Sequence, residues 1–248
     1  MTLEVDRCTF GYRRGVSVLR DFSVTFPPGR TVLLGPNGAG KSTLLGIAAT
    51  AITTPESGQV SLNGLIPRSS DARKDYRRRV GWLPQQVKPI AGLKLREQVA
   101  YAGWLKGLSR RAAWKAARSA LARVGLAELA TRTGHQLSGG QLRRLGIAQT
   151  LVHGAEFVLL DEPTAGLDPQ QRAVFRELLT DLSPTTNFVV STHQTEDLAE
   201  VFDTVVILDR GTIRFQGTVP AFLAHAPADT APGRLAEGAY TGFIHREA

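Results

Sequence analysis

The chain is nearly without sulfur: one cysteine, Cys8, and one methionine, Met1, in 248 residues. A single cysteine excludes an intrachain disulfide framework and favours a reducing compartment. Long apolar runs are also missing. Pieces such as "FVLL" have the length of a buried strand, far short of the roughly 20 apolar residues of a spanning helix. The chain is therefore not expected to cross a membrane by itself. The opening "MTLEVDRCTF" has acidic residues where a secretory leader is basic, and no apolar core follows, so no signal peptide is expected. Acidic residues are outnumbered 22 to 30 by basic ones, a net charge of +8. Such a surplus suits nucleic acid, nucleotide or an anionic surface. However, the densest cluster, Arg73, Lys74, Arg77, Arg78 and Arg79, lacks the interleaved aromatics of a base-stacking platform. A solvated basic surface is the expectation there.

What is present reads as one large α/β domain with an insert. The first 35 residues alternate in strand fashion, "LEVDRCTF" then "SVLRDFSVTF", with "PPG" as a turn before the buried-type strand "RTVLLG". "GQVSLNG" and "VGWLP" read as further strands, punctuated by glycine and proline. From residue 87 to 136 the texture changes to Ala, Leu and Arg at helical spacing, an α-helical insert in which Trp104 and Trp114 are expected to pack. After Ser138 helices alternate with "EFVLLD", "NFVVST" and "TVVILD", which implies a mainly parallel sheet covered on both faces. "RGTIRFQG" continues as a hairpin. The domain reading is a core over 1–86 and 137–226, the insert over 87–136, and a tail over 227–248. That tail reads as a poorly ordered end or a small appendage.

The chemistry begins at "GPNGAGKST", Gly35, Pro36, Asn37, Gly38, Ala39, Gly40, Lys41, Ser42 and Thr43. It fits G-x-x-x-x-G-K-S/T between a predicted strand and a predicted helix, the context a phosphate loop requires. Glycines allow successive N–H groups to surround a phosphate; Lys41 is placed for the β/γ-phosphates and the Ser42 hydroxyl for Mg²⁺. "FVLLDEP" supplies the acid such a site needs at the end of an apolar strand. Asp161 is expected to hold Mg²⁺, and Glu162, just beyond it, to polarise an attacking water. Taken alone, Glu162 reads equally as a capping or surface residue. "LSGGQ", Leu137 to Gln141, looks like a second anion-reading helix start, with Ser138 as cap.

With these motifs in this order, the chain resembles the nucleotide-binding subunits of ABC (ATP-binding cassette) transporters over nearly its whole length. "GPNGAGKST" and "FVLLDEP" resemble that family's Walker A and Walker B, and "LSGGQ" its signature. "AGLD", ending in Asp168, resembles the D-loop; "STH", ending in His193, the switch histidine; "VGWLPQ", ending in Gln85, the Q-loop. Tyr12 stands where the family places its adenine-stacking aromatic.

The resemblance implies a P-loop NTPase fold with an N-terminal antiparallel β subdomain, and ATP with Mg²⁺ as ligands. It implies that Gln85 contacts Mg²⁺ or the lytic water, that His193 orients water and γ-phosphate, and that Asp168 sits at a subunit boundary. It also implies a head-to-tail dimer, of two copies or of two related subunits. Ser138, Gly139, Gly140 and Gln141 of one chain would then complete the ATP site of the other. A separate membrane permease is implied as partner, docked near residues 85–106 on the cytoplasmic face of the cell membrane, with no nucleic-acid partner. Within the family the pattern looks most like exporters of the ABC-2 type. One departure, the arginine pair in "LRRLGIAQTL", is expected to touch no catalytic position. Plain alternatives exist for single residues: Tyr12 as a half-buried strand tyrosine, Gln85 as an ordinary loop residue, and His135 and His153 as structural. For the whole chain the alternatives are a soluble ABC ATPase acting on nucleic acid or ribosomes, and a small-molecule P-loop kinase. The first usually carries two cassettes or a long coiled coil; the second leaves "LSGGQ", Asp168 and His193 idle.

Overall fold

A computed structural model describes residues 1–13, 15–52, 57–196 and 198–244. In chain order the elements are β1 (Leu3–Phe10), β2 (Leu19–Phe26), β3 (Arg30–Leu34), α1 (Lys41–Ala48), β4 (Ser57–Leu62), α2 (Ser70–Arg79) and β5 (Val80–Leu83). Then come α3 (Leu95–Leu105), α4 (Arg110–Arg123), α5 (Gly139–Leu151), β6 (Phe157–Asp161), α6 (Pro169–Leu182), β7 (Asn187–Thr192) and α7 (Leu198–Val201). Finally come β8 (Thr204–Asp209), β9 (Thr212–Thr218), α8 (Val219–Leu223) and α9 (Leu235–Ile244). They form two units, Met1–Ile66 with Asn187–Ala248, and Pro67–Thr186. The expected boundaries at 86/87 and 136/137 enclose α3 and α4 inside the second unit, and stand as a proposal.

In the first unit β1 lies between β2 and β4, antiparallel to both. Its buried apolar residues are Leu3, Val5, Cys8 and Phe10, a period of two that slips by one residue after Val5. The ladder to β2 shifts register at the same place, between Val5 and Cys8, and Arg7 takes a left-handed φ of 46°. A bulge there returns Cys8 and Phe10 to the core face, which an unbroken strand would point at water. The second sheet of this unit pairs β3 in parallel with both β7 and β8, and β9 runs antiparallel to β8. Its central strands are continuous apolar runs because they are buried on both faces. The expected α/β class is the one formed, with mainly parallel pairing and an N-terminal antiparallel sheet.

At the end of this unit a small packed appendage forms rather than a poorly ordered end. Residues 235–244 are helical, with Ala239 fully buried and Tyr240, Phe243 and Ile244 packed on a core of Val32, Leu34, Ile207 and Phe222. Phe243 lies 5.2 Å from Phe215, ring to ring. Alanine, proline and glycine in the preceding segment mask a helical spacing at Ala236, Ala239, Tyr240 and Phe243. Residues 245–248 of the expected tail lie outside the described residues.

In the second unit α2 runs directly into β5, which pairs in parallel with β6. Ser69 and Ser109 cap α2 and α4, accepting from the N–H of Ala72 and Ala112. α4 buries Ala113, Ala117, Ala120 and Leu121 on one face, so small residues let it approach α3 and α5 closely. The tryptophans expected inside this helical region are on its surface. Trp104 is 47 % exposed and stacks on Tyr101; Trp114 is 43 % exposed, with the Arg96 guanidinium 4.1 Å over its ring. The reason is that alanines leave no interior room for an indole.

Candidate functional site

In the first unit everything converges on the C-terminal edge of the parallel sheet, where α/β folds hold ligands. β3 ends at Leu34, and the loop from Gly35 to Gly40 leads into α1. Gly35 approaches β8 so closely that a Cβ would stand 2.1 Å from the Leu208 carbonyl. Gly40, the N-cap of α1, has φ 105°, open to glycine alone. The loop is tied down when Gly211 donates its N–H to Ala39. Lys41 is buried, and its Nζ donates to the carbonyls of Gly35 at 2.6 Å and Pro36 at 3.1 Å. The first N–H groups of α1 have no intrahelical partners and carry the positive end of its dipole. A buried cation, a helix N-terminus and no acid in the loop suit a polyphosphate.

The ladder register places the next residue. Leu34 pairs with Thr192, so Gly35 and His193 leave neighbouring strands side by side. Tyr12 follows β1, 66 % exposed, with its hydroxyl 3.2 Å from Thr43 Oγ1 and its ring edge-on to Phe10. An exposed ring fixed at its edge and its hydroxyl leaves a flat face for a planar ligand. The half-buried strand tyrosine considered from sequence is not what forms.

The second unit repeats the same logic. Leu83 pairs with Leu160, so Pro84–Gln85 and Asp161–Glu162 leave adjacent strands at one edge. Asp161 and Glu162 are buried, at 3 % and 7 % exposure. Glu162 has φ 44°, a conformation costing a non-glycine residue on the order of 1 kcal/mol and typical of functional turns. It caps no helix, since α6 is capped by Asp168, whose Oδ1 accepts from the Gln171 N–H at 2.8 Å. "LDPQQ" is thus also a helix-start signal, with proline at the first position. Ser42 in the first unit carries a hydroxyl, and Gln85 and Asp161 in the second an amide oxygen and a carboxylate, each a hard donor of the kind Mg²⁺ takes.

"LSGGQ" starts α5 as expected. Ser138 Oγ accepts from the Gln141 N–H at 3.3 Å, and Gln141 Oε1 accepts from the Ser138 N–H at 3.0 Å, a reciprocal capping box. Ser138 and Gly139 are exposed, and a Cβ on Gly139 would meet nothing within 4 Å. Gly140 lies against the Gln171 side chain. The arginine pair touches more than expected. Arg143 donates to the main-chain carbonyl of Gln85, and Arg144 to that of Val124 at 3.1 Å. Burial lowers the pKa of Arg143, and the Asp161 carboxylate partly offsets it. The sequence carries no signal for the Arg143 contact, because its acceptor is a main-chain carbonyl.

Tyr12, the loop 35–43 and His193 therefore come together in one unit. Gln85, Asp161, Glu162 and Arg143 come together in the other, which also bears the signature and Asp168. His135 is exposed, without a place in either group.

The chain is similar to known proteins of one family. Residues 19–165 match the family described as ABC transporter. The cobalt import ATP-binding protein CbiO of Rhodobacter capsulatus is 36 % identical over 228 residues, covering 90 % of this chain and 80 % of that one. The energy-coupling factor transporter ATP-binding protein EcfA2 of Lactiplantibacillus plantarum is 35 % identical, covering 99 % and 86 %. A dimeric structure of a bacterial ABC transporter cassette superposes with TM-score 0.77 at 26 % identity, over 88 % of this chain and 98 % of that one. A post-hydrolysis state of the same cassette, bound to ADP and Pi, gives 0.76.

Proposed function

This chain belongs to the ABC transporter family as an ATP-binding ATPase subunit, and from that premise we propose that it works as half of a two-chain motor. ATP is the substrate, bound by the loop 35–43 and Lys41, with the adenine on Tyr12. Ser42, Asp161 and Gln85 would hold Mg²⁺, which when bound neutralises phosphate charge. Phosphoryl transfer to water asks little covalent chemistry of a protein; positioning and charge stabilisation supply most of the rate. Glu162 takes the proton of the attacking water from its strained turn, and His193 orients that water and the γ-phosphate. Ser138 and the N–H groups of Gly139 and Gly140 bind the γ-phosphate of the partner chain's ATP, so hydrolysis waits on closure.

The observation that carries this reading is the start of α5. A helix N-terminus with its capping box already made, two glycines and an exposed face is built to receive an anion from outside the chain. Among the described residues no helix is long and apolar enough to span a membrane; in the two-chain reading the transport path belongs to a separate permease and this subunit to its cytoplasmic face. A groove of about 870 Å³ in the second unit is the docking place that fits. Trp82, Val87, Ile90, Tyr101 and Leu105 give it an apolar floor, while Lys74, Arg77, Arg78, Lys88 and Lys106 line it with no carboxylate among the lining residues. An amphipathic segment bearing acidic residues is the complement. The export direction and ABC-2 grouping read from sequence gain no support from the relatives, the first of which is named for cobalt import.

Glu162→Gln removes the proton acceptor and leaves the site's shape, so ATP should accumulate uncleaved and hold two chains together. Light scattering with size-exclusion chromatography should then show an ATP-dependent dimer. If ATP leaves the variant monomeric even with its permease present, the two-chain motor is wrong.

A further inference from the structure

α5 does more than present the signature. On its inner face Arg143 donates to the carbonyl of Gln85. One turn on, Gly146 lies so close to the same segment that a Cβ would stand 2.4 Å from Leu83 Cδ1 and 2.9 Å from Val87 Cγ2. Positions 143 and 146 share a helix face. That face therefore grips residues 83 to 87 on both sides of Gln85 and at Gln85 itself. Gly146 allows the contact, and Arg143 fixes its register with a charged donor. The guanidinium is planar and charged, so its bond to the Gln85 carbonyl is charge-assisted and fixed in direction. The first turn of the same helix is rigidified by the Ser138–Gln141 box. A tilt of α5 at its start is thus transmitted to the main chain at Gln85.

We propose that Arg143 is a positioning residue that locks the Gln85 loop to the signature helix, so that occupancy of one ATP site sets the geometry of the other. This rests on the two-chain reading above, in which Ser138 serves the partner's nucleotide and Gln85 serves the chain's own. With the lock in place, engagement of the signature by the partner's phosphate places Gln85, and hydrolysis is cooperative in ATP. Without it, each site still binds nucleotide but places Gln85 independently. Coupling of this kind needs a mechanical element that both sites bias, and the face of α5 carrying Arg143 and Gly146 is that element.

The test uses the full chain assembled with its permease and compares the wild type with Arg143→Met, which keeps the apolar stem and removes the charged donor. Loss of one charge-assisted hydrogen bond is expected to lower kcat about tenfold. The KM for ATP should change less than twofold, and the Hill coefficient should fall from above 1 to 1. Arg143→Lys, which retains a cationic donor, should recover part of both kcat and the Hill coefficient. A purely structural role would lower the melting temperature and leave the Hill coefficient of the surviving molecules unchanged, which overturns the proposal. So does wild-type cooperativity in Arg143→Met, or a wild-type Hill coefficient of 1. Failure of Glu162→Gln to dimerise with ATP while Arg143 is native sinks the two-chain reading instead, so the two failures are distinguishable.

Discussion

Ser138 carries two separable roles, and one pair of substitutions separates them. In the fold its hydroxyl accepts from Gln141 at 3.3 Å and caps α5. In the two-chain site proposed above, the same hydroxyl would face a γ-phosphate. Ser138→Ala removes both roles. Loss of an exposed N-cap should cost about 1 kcal/mol, which for a chain of this size is a fall of about 2–4 °C in melting temperature. Ser138→Asp removes only one. Aspartate caps as well as serine, and its charge favours the helix dipole by about 0.3–1 kcal/mol, so the melting temperature should hold or rise. Toward a phosphate the outcome is opposite. One unit charge about 4 Å from another, at an effective dielectric of 20, gives roughly 4 kcal/mol of repulsion, or about three orders of magnitude in kcat/KM. Thermal melts and steady-state ATPase assays on the same preparations decide it. An aspartate variant that hydrolyses ATP at the wild-type rate would show that this helix start faces no phosphate. An alanine variant with unchanged melting would remove the capping argument.

Gly139→Ala gives the converse pattern. The new methyl meets nothing within 4 Å in its own chain, and alanine favours helix by up to about 1 kcal/mol. Stability should rise slightly while ATPase activity falls at least tenfold; full activity would place the partner's nucleotide elsewhere. His153 is a pH probe. Burial, then Lys106, lowers its pKa to about 3, and neither ring nitrogen has a hydrogen-bond partner. The folded chain therefore binds fewer protons than the unfolded one between about pH 3 and 6.5, so stability falls as pH drops through that window. Partial exposure reduces the loss to about 2 kcal/mol. In His153→Leu, denaturant titrations at pH 7, 6, 5 and 4 should show an acid slope shallower by up to one proton, with stability at pH 7 equal or higher; a wild-type slope refutes neutral burial.

The strands were legible because parallel strands buried on both faces read as short apolar runs between glycines, and "NFVVST" and "TVVILD" became β7 and β8 residue for residue. The glycine-rich loop before α1 was legible because glycines and a lysine at that spacing leave few other uses. Three things were hidden for physical reasons. α2 has one fully buried residue, Tyr76, in a row of charges, so no apolar stripe announces it. α9 lies behind a breaker-rich segment. Arg143 acts on a main-chain carbonyl, which no pairing of side-chain types reveals. Asp168 shows the limit from the other side: its role as helix cap is enough to explain the residue locally, and the boundary role rests on the resemblance.

The order of synthesis gives the split first unit a biological meaning. β3, which launches the phosphate loop, pairs only with β7 and β8, and these leave the ribosome after all of the second unit has been made. The second unit is continuous in sequence, so its helices and the β5–β6 pair have their partners at hand early. A growing chain therefore cannot assemble its phosphate loop until strands in the last quarter of its length have emerged. A chain that stops before β8 lacks the strand that holds one side of this loop's launching strand in place.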